Sequence, residues 1–406
     1  MQSPAPPGRA AFAFIFVTVM LDMLALGIVI PVLPKLITVF QGGNYGNAAQ
    51  IIGIFGFGWA AMQFFFSPVM GGLADRFGRR PVIILSNLGL GCDYLVMALA
   101  PSVEWLLLGR LISGITAATI STASAYIADV TPPEQRAGRY GMLGAAFGLG
   151  FVIGPAIGGF LGDVDLRLPF WVASGFSLAN GIYGLFVLPE SLPRANRARF
   201  DWRKANPLGS LKLLNSHHIL MALAIAAFLQ RIAHDALPSL TVIYTDYRYG
   251  WTPSEVGGLL AVVGISQMLV SALLTGRLVK KLGERKVMLF AMVMGAFGFF
   301  VYATATSGLM FIAGVPFIAM WGMGNPAMQA IMTKCLGPSE QGRLQGALSS
   351  VSGIGGLIGP ILMTQTFAFG ISQPGGLHLP GTPYILATIM VLIAAALAAR
   401  MTANHA

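Results

Sequence analysis

Four polar side chains, Gln230, Arg231, His234 and Asp235, stand close together in an otherwise apolar run. Their three- and four-residue spacing puts them on one face of a helix, with Pro238 a turn beyond. A histidine beside an aspartate takes up and releases protons near neutral pH, and an arginine one turn away supplies a counter-charge. The same residues also read as an intrahelical ion pair with a histidine facing a water-filled cavity. Asp22 is alone in its own apolar run, where a carboxyl can load a proton, hold a substrate group, or serve as a hydrogen-bonded structural residue. Asp93 and Arg110 fall at similar depth on successive apolar runs and make a candidate pair, either a protonation switch or a static bridge. Gln267, Asn325 and Gln329 are isolated polar residues that can line the same cavity, and Asn325-Pro326 is expected to loosen its helix.

The elements that position these groups follow from composition. Of the 406 residues 55% are hydrophobic, 10% are charged and 51 are glycine, more apolar surface than one water-soluble core can hide. Runs long enough to cross about 30 Å of hydrocarbon, roughly 20 residues each, occur near 11–34, 50–73, 82–100, 105–127, 138–161 and 169–188. Six more occur near 219–243, 254–275, 286–305, 309–331, 344–369 and 382–400. Open strands leave backbone groups unsatisfied in lipid, and membrane barrels show short alternating segments instead of continuous runs. The expected fold is an all-α membrane protein of twelve transmembrane helices. In that setting charge is costly, so each ionisable residue named above is a functional candidate by default.

The net charge of +10 is distributed on one side. Arg9, Arg76, Arg79, Arg80, Arg136, Arg139, six basic residues from Arg194 to Lys212, Arg277, Lys280, Lys281, Arg285, Lys286, Lys334, Arg343 and Arg400 all fall at the N-terminus or in every second loop. That is 20 of the 25 lysines and arginines, the signature of a cytoplasmic face. Both termini and the loop at 189–218 are therefore expected in the cytoplasm, with Lys35, Arg167 and Arg248 on the far side. A nucleic-acid partner is not needed to explain the basic balance. The first run has no small-residue cleavage site after it and reads as a retained signal anchor. Cys92 lies within a helix and Cys335 in a cytoplasmic loop, so no disulfide and no metal-ligand spacing is expected.

The sequence repeats at an offset of 205 residues. Gly71-Gly72-Leu73-Ala74-Asp75-Arg76-Phe77-Gly78-Arg79-Arg80 aligns with Gly276-Arg277-Leu278-Val279-Lys280-Lys281-Leu282-Gly283-Glu284-Arg285, and Gly154-Pro155 aligns with Gly359-Pro360. Two parallel six-helix halves are expected, 1–188 and 219–406, joined by a cytoplasmic linker at 189–218 that carries Arg194, Arg197, Arg199, Asp201, Arg203 and Lys204. Substrate in such an architecture sits between halves that rock around it.

Several motifs carry chemistry or packing of their own. Gly150, Gly154 and Gly158 recur every four residues and form a smooth helix face for close backbone approach, and Pro155 permits a bend there. Asp75, Arg79 and Arg80 cluster at a helix end, where a carboxylate can neutralise the positive N-terminus of a facing helix and an arginine can pair with Asp129. Topogenic charge explains the arginines but not the acid among them. In the second half Lys280 stands where the first half has Asp75.

Taken with Leu21-Asp22, Gly27 and Pro31-Val32-Leu33-Pro34, with Gly71 to Arg80, with Leu108-Gly109-Arg110 through Ser113-Gly114-Ile115-Thr116, and with Gly150 to Gly159, nearly the whole chain resembles the major facilitator superfamily. The resemblance is to the drug:proton antiporters of its tetracycline-efflux branch. It implies the major facilitator fold with two pseudo-symmetric six-helix halves, and a gate at Gly71, Asp75, Arg79, Arg80 and Asp129. It also implies that the pattern around Gly154 and Pro155 marks exchange, although ordinary small-residue packing would suit a symporter as well. Tetracycline exporters carry a histidine in the eighth helix and an acid in the ninth. Here Gln267 stands in the first region and Met292 to Phe300 holds no ionisable group, which places proton handling on His234 and Asp235.

The function implied is secondary active transport. The leading expectation is a proton-coupled antiporter exporting amphipathic drugs such as tetracycline-like compounds by alternating access, with Asp22, Asp93, Arg110 and Asp235 as coupling candidates. A proton-coupled metabolite symporter of the same fold is the alternative. No nucleotide-binding turn, metal motif or nucleophile elbow occurs, so neither an enzyme nor a bound cofactor is expected. The expected setting is the inner (cytoplasmic) membrane, multi-pass, with a small-molecule substrate, protons and the lipid bilayer as partners and the monomer as the working unit.

Overall fold

The computed structural model describes residues 9–117, 119–197, 209–337, 340–372 and 378–403. Of the linker charges, Arg199, Asp201, Arg203 and Lys204 lie outside them. Every regular element among the described residues is helical. They assemble into twelve helices long and apolar enough to cross a membrane: Phe12–Phe40, Tyr45–Phe77, Arg79–Leu99, Val103–Val130, Glu134–Val164 and Leu168–Val187, then His218–Tyr249, Pro253–Leu282, Glu284–Thr304, Gly308–Lys334, Gln341–Ser372 and Thr382–Met401. They are called the first to twelfth spans below. Several extend beyond the apolar runs of the sequence, because helical hydrogen bonding continues into polar residues past the hydrocarbon.

Interruptions fall where the sequence removes a donor or a side chain. The first span breaks between Val29 and Leu33, where Pro31 has no N–H to offer. The seventh breaks at Asp235, between His218–His234 and Ala236–Tyr249. The tenth runs as Gly308–Ala313, Val315–Trp321 and Gly324–Lys334. Its second break lies at Gly322 and Met323, just before Asn325-Pro326, so Pro326 occupies a first helical turn where its missing N–H leaves nothing unsatisfied. The eighth span carries a π-helical stretch at Val270–Thr275.

Two compact units are distinguishable. One comprises Met1–Leu36, Gly58–Asn206 and Pro253–Ala261; the other comprises Ile37–Phe57, Pro207–Thr252 and Val262–Ala406. In the first unit the first span packs on the fifth and sixth, and the third packs on the fourth and sixth. Phe14, Ile15, Val19, Ile83, Tyr126 and Ile127 fill its core toward the end carrying most of the basic residues. In the second unit the seventh span packs on the eleventh and twelfth, and the ninth packs on the tenth and twelfth. The pairing scheme of the first six helices therefore recurs in the last six. Tyr244, Tyr302, Phe311 and Tyr384 form an aromatic cluster in the second unit, with Tyr302 and Phe311 stacked at 4.0 Å between ring centroids.

In the first unit the glycine face of the fifth span receives the first span. A Cβ at Gly150 would lie 2.7 Å from the Met20 carbonyl oxygen, one at Gly154 2.7 Å from that of Leu24, and one at Gly158 would overlap Ile28. Backbone meets backbone here, and that contact fixes the depth and rotation at which the first span presents Asp22.

Candidate functional site

Asp22 is buried in the first unit and held from two other spans. Asn180 of the sixth span donates from Nδ2 to Asp22 Oδ1 at 3.4 Å and to the Thr18 carbonyl at 3.3 Å, while the Thr18 hydroxyl donates to Asn180 Oδ1 at 3.2 Å. Asn87 of the third span, with its amide nitrogen turned to the carboxylate as the network requires, donates to Asp22 at 2.9 and 3.1 Å and accepts from Asn180 Nδ2 at 3.3 Å. Neither asparagine is flagged by local sequence pattern. Their only advance signal is that each is an amide in an apolar run, the same signal that drew attention to Gln267.

Asp93 and Arg110 adjoin on the third and fourth spans without forming an ion pair within 4.0 Å. Both Asp93 carboxyl oxygens are buried and accept no hydrogen bond, and Arg110 Nε is likewise buried without an acceptor. Gly109 permits the approach, since a Cβ there would stand 2.5 Å from Asp93 Oδ1. Arg110 and Ser113 are the polar groups that act on the acid. The expected pair is thus a juxtaposition without a direct bridge.

The seventh-span patch is brought together. Arg231 Nη2 lies 3.1 Å from Asp235 Oδ1, Arg231 Nη1 is 3.3 Å from His234 Nδ1, and Arg231 Nε donates to the Ser352 carbonyl at 3.4 Å. Asp235 caps one helical segment and begins the next, and its Oδ2 is buried without a partner. Gln230 accepts from Trp321 Nε1 at 2.9 Å, and the Trp321 ring lies 6.0 Å from that of His234. Gln267 rests its amide against Gly322, beside Trp321. His234 is exposed and Arg231 half-buried, so the patch presents a polar face at mid-span. Asn325 is exposed and Gln329 half-buried, and no described hydrogen bond ties either to the patch. Trp321, and Gly355 and Gly356 of the eleventh span on which Arg231 packs, were not singled out by sequence, because an indole and a small-residue stripe are ordinary packing until a polar partner is placed on them.

The basic end of the first unit holds an ionic network around Arg79. Its guanidinium pairs with Asp75 at 2.5 Å and with Asp129 at 3.2 Å, its backbone N–H donates to Glu190 Oε1 at 2.8 Å, and Ser191 donates to Asp129 at 3.0 Å. Arg80 donates to the Leu185 carbonyl at 2.6 Å. Gly78 takes φ 108°, a left-handed turn that lets the chain reverse between the second and third spans. A Cβ at Gly71 would meet nothing within 4 Å. Pro155 packs on Gly257 of the eighth span, and Asp163 accepts from the Ser254 backbone N–H at 3.3 Å. In the second unit the residues aligned with Arg79 and Asp129 are Glu284 and Lys334, and they too form an ion pair, at 2.6 Å, with the charges exchanged. No grouping of three or more metal-ligating side chains occurs among the described residues.

The profile of the Major Facilitator Superfamily matches residues 15–266 and 223–405. The chain is similar to the class C tetracycline resistance protein of Escherichia coli, 36% identical over 90% of this chain and 92% of that one. It is also similar to the class E tetracycline resistance protein of Escherichia coli, 37% identical over 87% and 86%, and to multidrug resistance protein 2 of Bacillus subtilis (strain 168), 28% identical over 90% and 91%. Among solved structures the fold matches the nucleoside transporter NupG with a TM-score of 0.79 at 14% identity, covering 96% of this chain and 98% of that one. It matches the human organic anion transporter MFSD10 with a TM-score of 0.70 at 22% identity, covering 97% and 100%. Twelve membrane-capable helices, a packing scheme repeated in each set of six, and matches along almost the entire length establish a multi-pass membrane protein, and the chain belongs to the Major Facilitator Superfamily.

Proposed function

We propose that this protein is a proton-driven antiporter of the cytoplasmic membrane that exports amphipathic compounds of the tetracycline-like class by alternating access. The observation that carries the reading is the seventh-span patch. A buried acid, Asp235, sits at a helix break with one oxygen paired to Arg231 and the other unpartnered, beside an exposed His234 and the Trp321 ring. A carboxyl so placed has a counter-charge to release and a free oxygen to protonate, and the flanking imidazole and indole offer an aromatic surface to a flat amphipathic ligand. Asp22, and Asp93 with Arg110, are the further coupling residues. The Arg79 network acts as a cytoplasmic gate, biasing the conformational equilibrium without touching substrate. The identity of the relatives, tetracycline and multidrug resistance proteins, supports efflux as the direction.

Proteoliposomes with an imposed pH gradient test the reading. Substrate is expected to move against its concentration as protons move the other way, and collapse of the gradient by an uncoupler is expected to stop it. Transport insensitive to the uncoupler removes the proton from the mechanism. Movement of substrate in the same direction as protons replaces export with symport. In a pump-deficient host, Asp235→Asn is expected to abolish protection against tetracycline-class compounds, and Asp22→Asn to reduce it at least tenfold.

A further inference from the structure

The hydrogen bonds donated to Asp22 come from neutral amides, Asn180 Nδ2 at 3.4 Å and Asn87 Nδ2 at 2.9 and 3.1 Å, with the Thr119 hydroxyl alongside. An amide presents a donor on one side and an acceptor on the other, so its nitrogen suits a carboxylate and its oxygen suits a protonated carboxyl. With Asp22 ionised, Asn87 turns its nitrogen to the acid and its oxygen to Asn180, and Asn180 turns its oxygen to the Thr18 hydroxyl. Each donor then meets an acceptor. Once Asp22 takes a proton it has an O–H to place, and a half-turn of Asn87 supplies Oδ1 to accept it. That half-turn points Asn87 Nδ2 at Asn180 Nδ2, donor against donor. A half-turn of Asn180 relieves the clash and brings its nitrogen to Thr18 Oγ1, whose hydroxyl reverses toward a carbonyl of its own helix, at the loss of the bond from Asn180 Nδ2 to the Thr18 carbonyl.

We propose that Asn87 and Asn180 are positioning residues of an amide relay, in which protonation of Asp22 on the first span reverses both amides and so reports the proton to the third and sixth spans. The relay rests on the reading that Asp22 exchanges a proton during the cycle. Its members are buried, so an unmatched amide cannot be satisfied by bulk water and the two reversals are linked. On the third span Tyr94 interacts electrostatically with Asp22, and also with Asp93 and the fourth span's Arg110. The sixth span's Tyr183 is exposed and its ring packs tilted against that of Phe14. The fifth span's Glu134, Arg136, Arg139 and Tyr140, and the fourth span's Tyr126 and Asp129, lie toward the basic end, with Asp163 at the opposite end of the fifth. None makes an ion pair with Asp22.

Infrared pH-difference spectroscopy of the purified full-length protein in lipid tests the relay, with the pH profile of substrate exchange measured alongside. In the wild type a protonated-carboxyl band that Asp22→Asn removes is expected, accompanied by changes in asparagine side-chain carbonyl bands. In Asn87→Leu and in Asn180→Leu the carboxyl band is expected to persist but to titrate about one pH unit higher, a tenfold gain in proton affinity, because the anion has lost its donors. The pH profile of exchange is expected to move the same way. If Asn87→Leu fails to fold, Asn180→Leu carries the same test. An unchanged midpoint in a folded Leu variant overturns the relay while leaving Asp22 as a proton carrier. A wild-type protein with no Asp22 carboxyl band at any pH overturns the reading beneath it.

Discussion

The fifth and eleventh spans share two aligned glycines on one face, with Met363 where the fifth has Gly158, and use that face in different ways. In the fifth, Gly150, Gly154 and Gly158 meet the backbone of the first span. In the eleventh, the aligned Gly355 and Gly359, with Gly356 between them, meet the side chains of Arg231 and Asp235. One copy of the repeat spends the missing side chains on helix contact, and the other on room for an ion pair. Asp22 finds neutral amides of the third and sixth spans, whereas Asp235 lies against Gly359 on the eleventh span's face and finds a guanidinium. The two aligned glycine faces thus differ in what they receive, backbone in one and an ion pair in the other.

The strongest way to break this contrast is to remove the cation. Arg231→Met leaves Asp235 buried without its partner, which is expected to lower stability by about 3 kcal/mol, since stranding one member of a buried pair costs more than the pair contributes. The double variant Arg231→Met with Asp235→Leu is expected to recover most of that loss. Thermal unfolding in detergent micelles reads both. Equal loss in the single and double variants would mean that the ion pair is not what occupies the eleventh span's face.

A smaller effect separates the two faces themselves. In Gly154→Ala the new methyl meets the carbonyl of Leu24 and the backbone of Gly27, neither of which yields without moving a helix, so destabilisation of about 2 kcal/mol is expected. In Gly356→Ala the nearest atom is Arg231 Nη2 at 3.0 Å, the far end of a flexible side chain. Its expected effect is within about 0.5 kcal/mol, helped by the helix propensity of alanine. The same unfolding measurement compares them, and equal losses would erase the distinction between backbone-filled and side-chain-filled faces.

Legibility in the sequence followed the range of the interaction. The twelve spans were readable because each is a continuous apolar run, and their repeat because the offset of 205 residues holds through Gly154-Pro155 and Gly359-Pro360. Gln230, Arg231, His234 and Asp235 were readable as one patch because three- and four-residue spacing is a local property of a helix. The break at Asp235 was not, since Pro238 disrupts the helix only upstream of itself and the exact residue is settled by packing. Asn87 and Asn180 escaped notice because they reach Asp22 only through the packing of three spans. Arg79 with Asp129 was foreseen from charge and resemblance. Glu284 with Lys334 was available from the same offset, but an exchanged pair keeps neither residue type, so alignment by identity passes over it.

That exchanged pair gives the smallest expected effect. Around Arg79 the structure stacks Asp75, Asp129, a backbone bond to Glu190 and the Ser191 hydroxyl, and the arginine side chain is only 12% exposed. Glu284 and Lys334 have a single contact, and the lysine side chain is 67% exposed. Water and salt screen the second pair far more than the first. Asp129→Asn is therefore expected to lower stability by about 1 kcal/mol and to slow turnover several-fold, because it withdraws one of the charges that hold Arg79 and weakens the acceptor of Ser191. Lys334→Ala is expected to stay within about 0.5 kcal/mol with turnover within twofold of wild type. Turnover in proteoliposomes at low and high salt compares the two. If Lys334→Ala slows transport as much as Asp129→Asn, the second ion pair gates as strongly as the first, and the asymmetry between the repeats would be confined to the membrane interior.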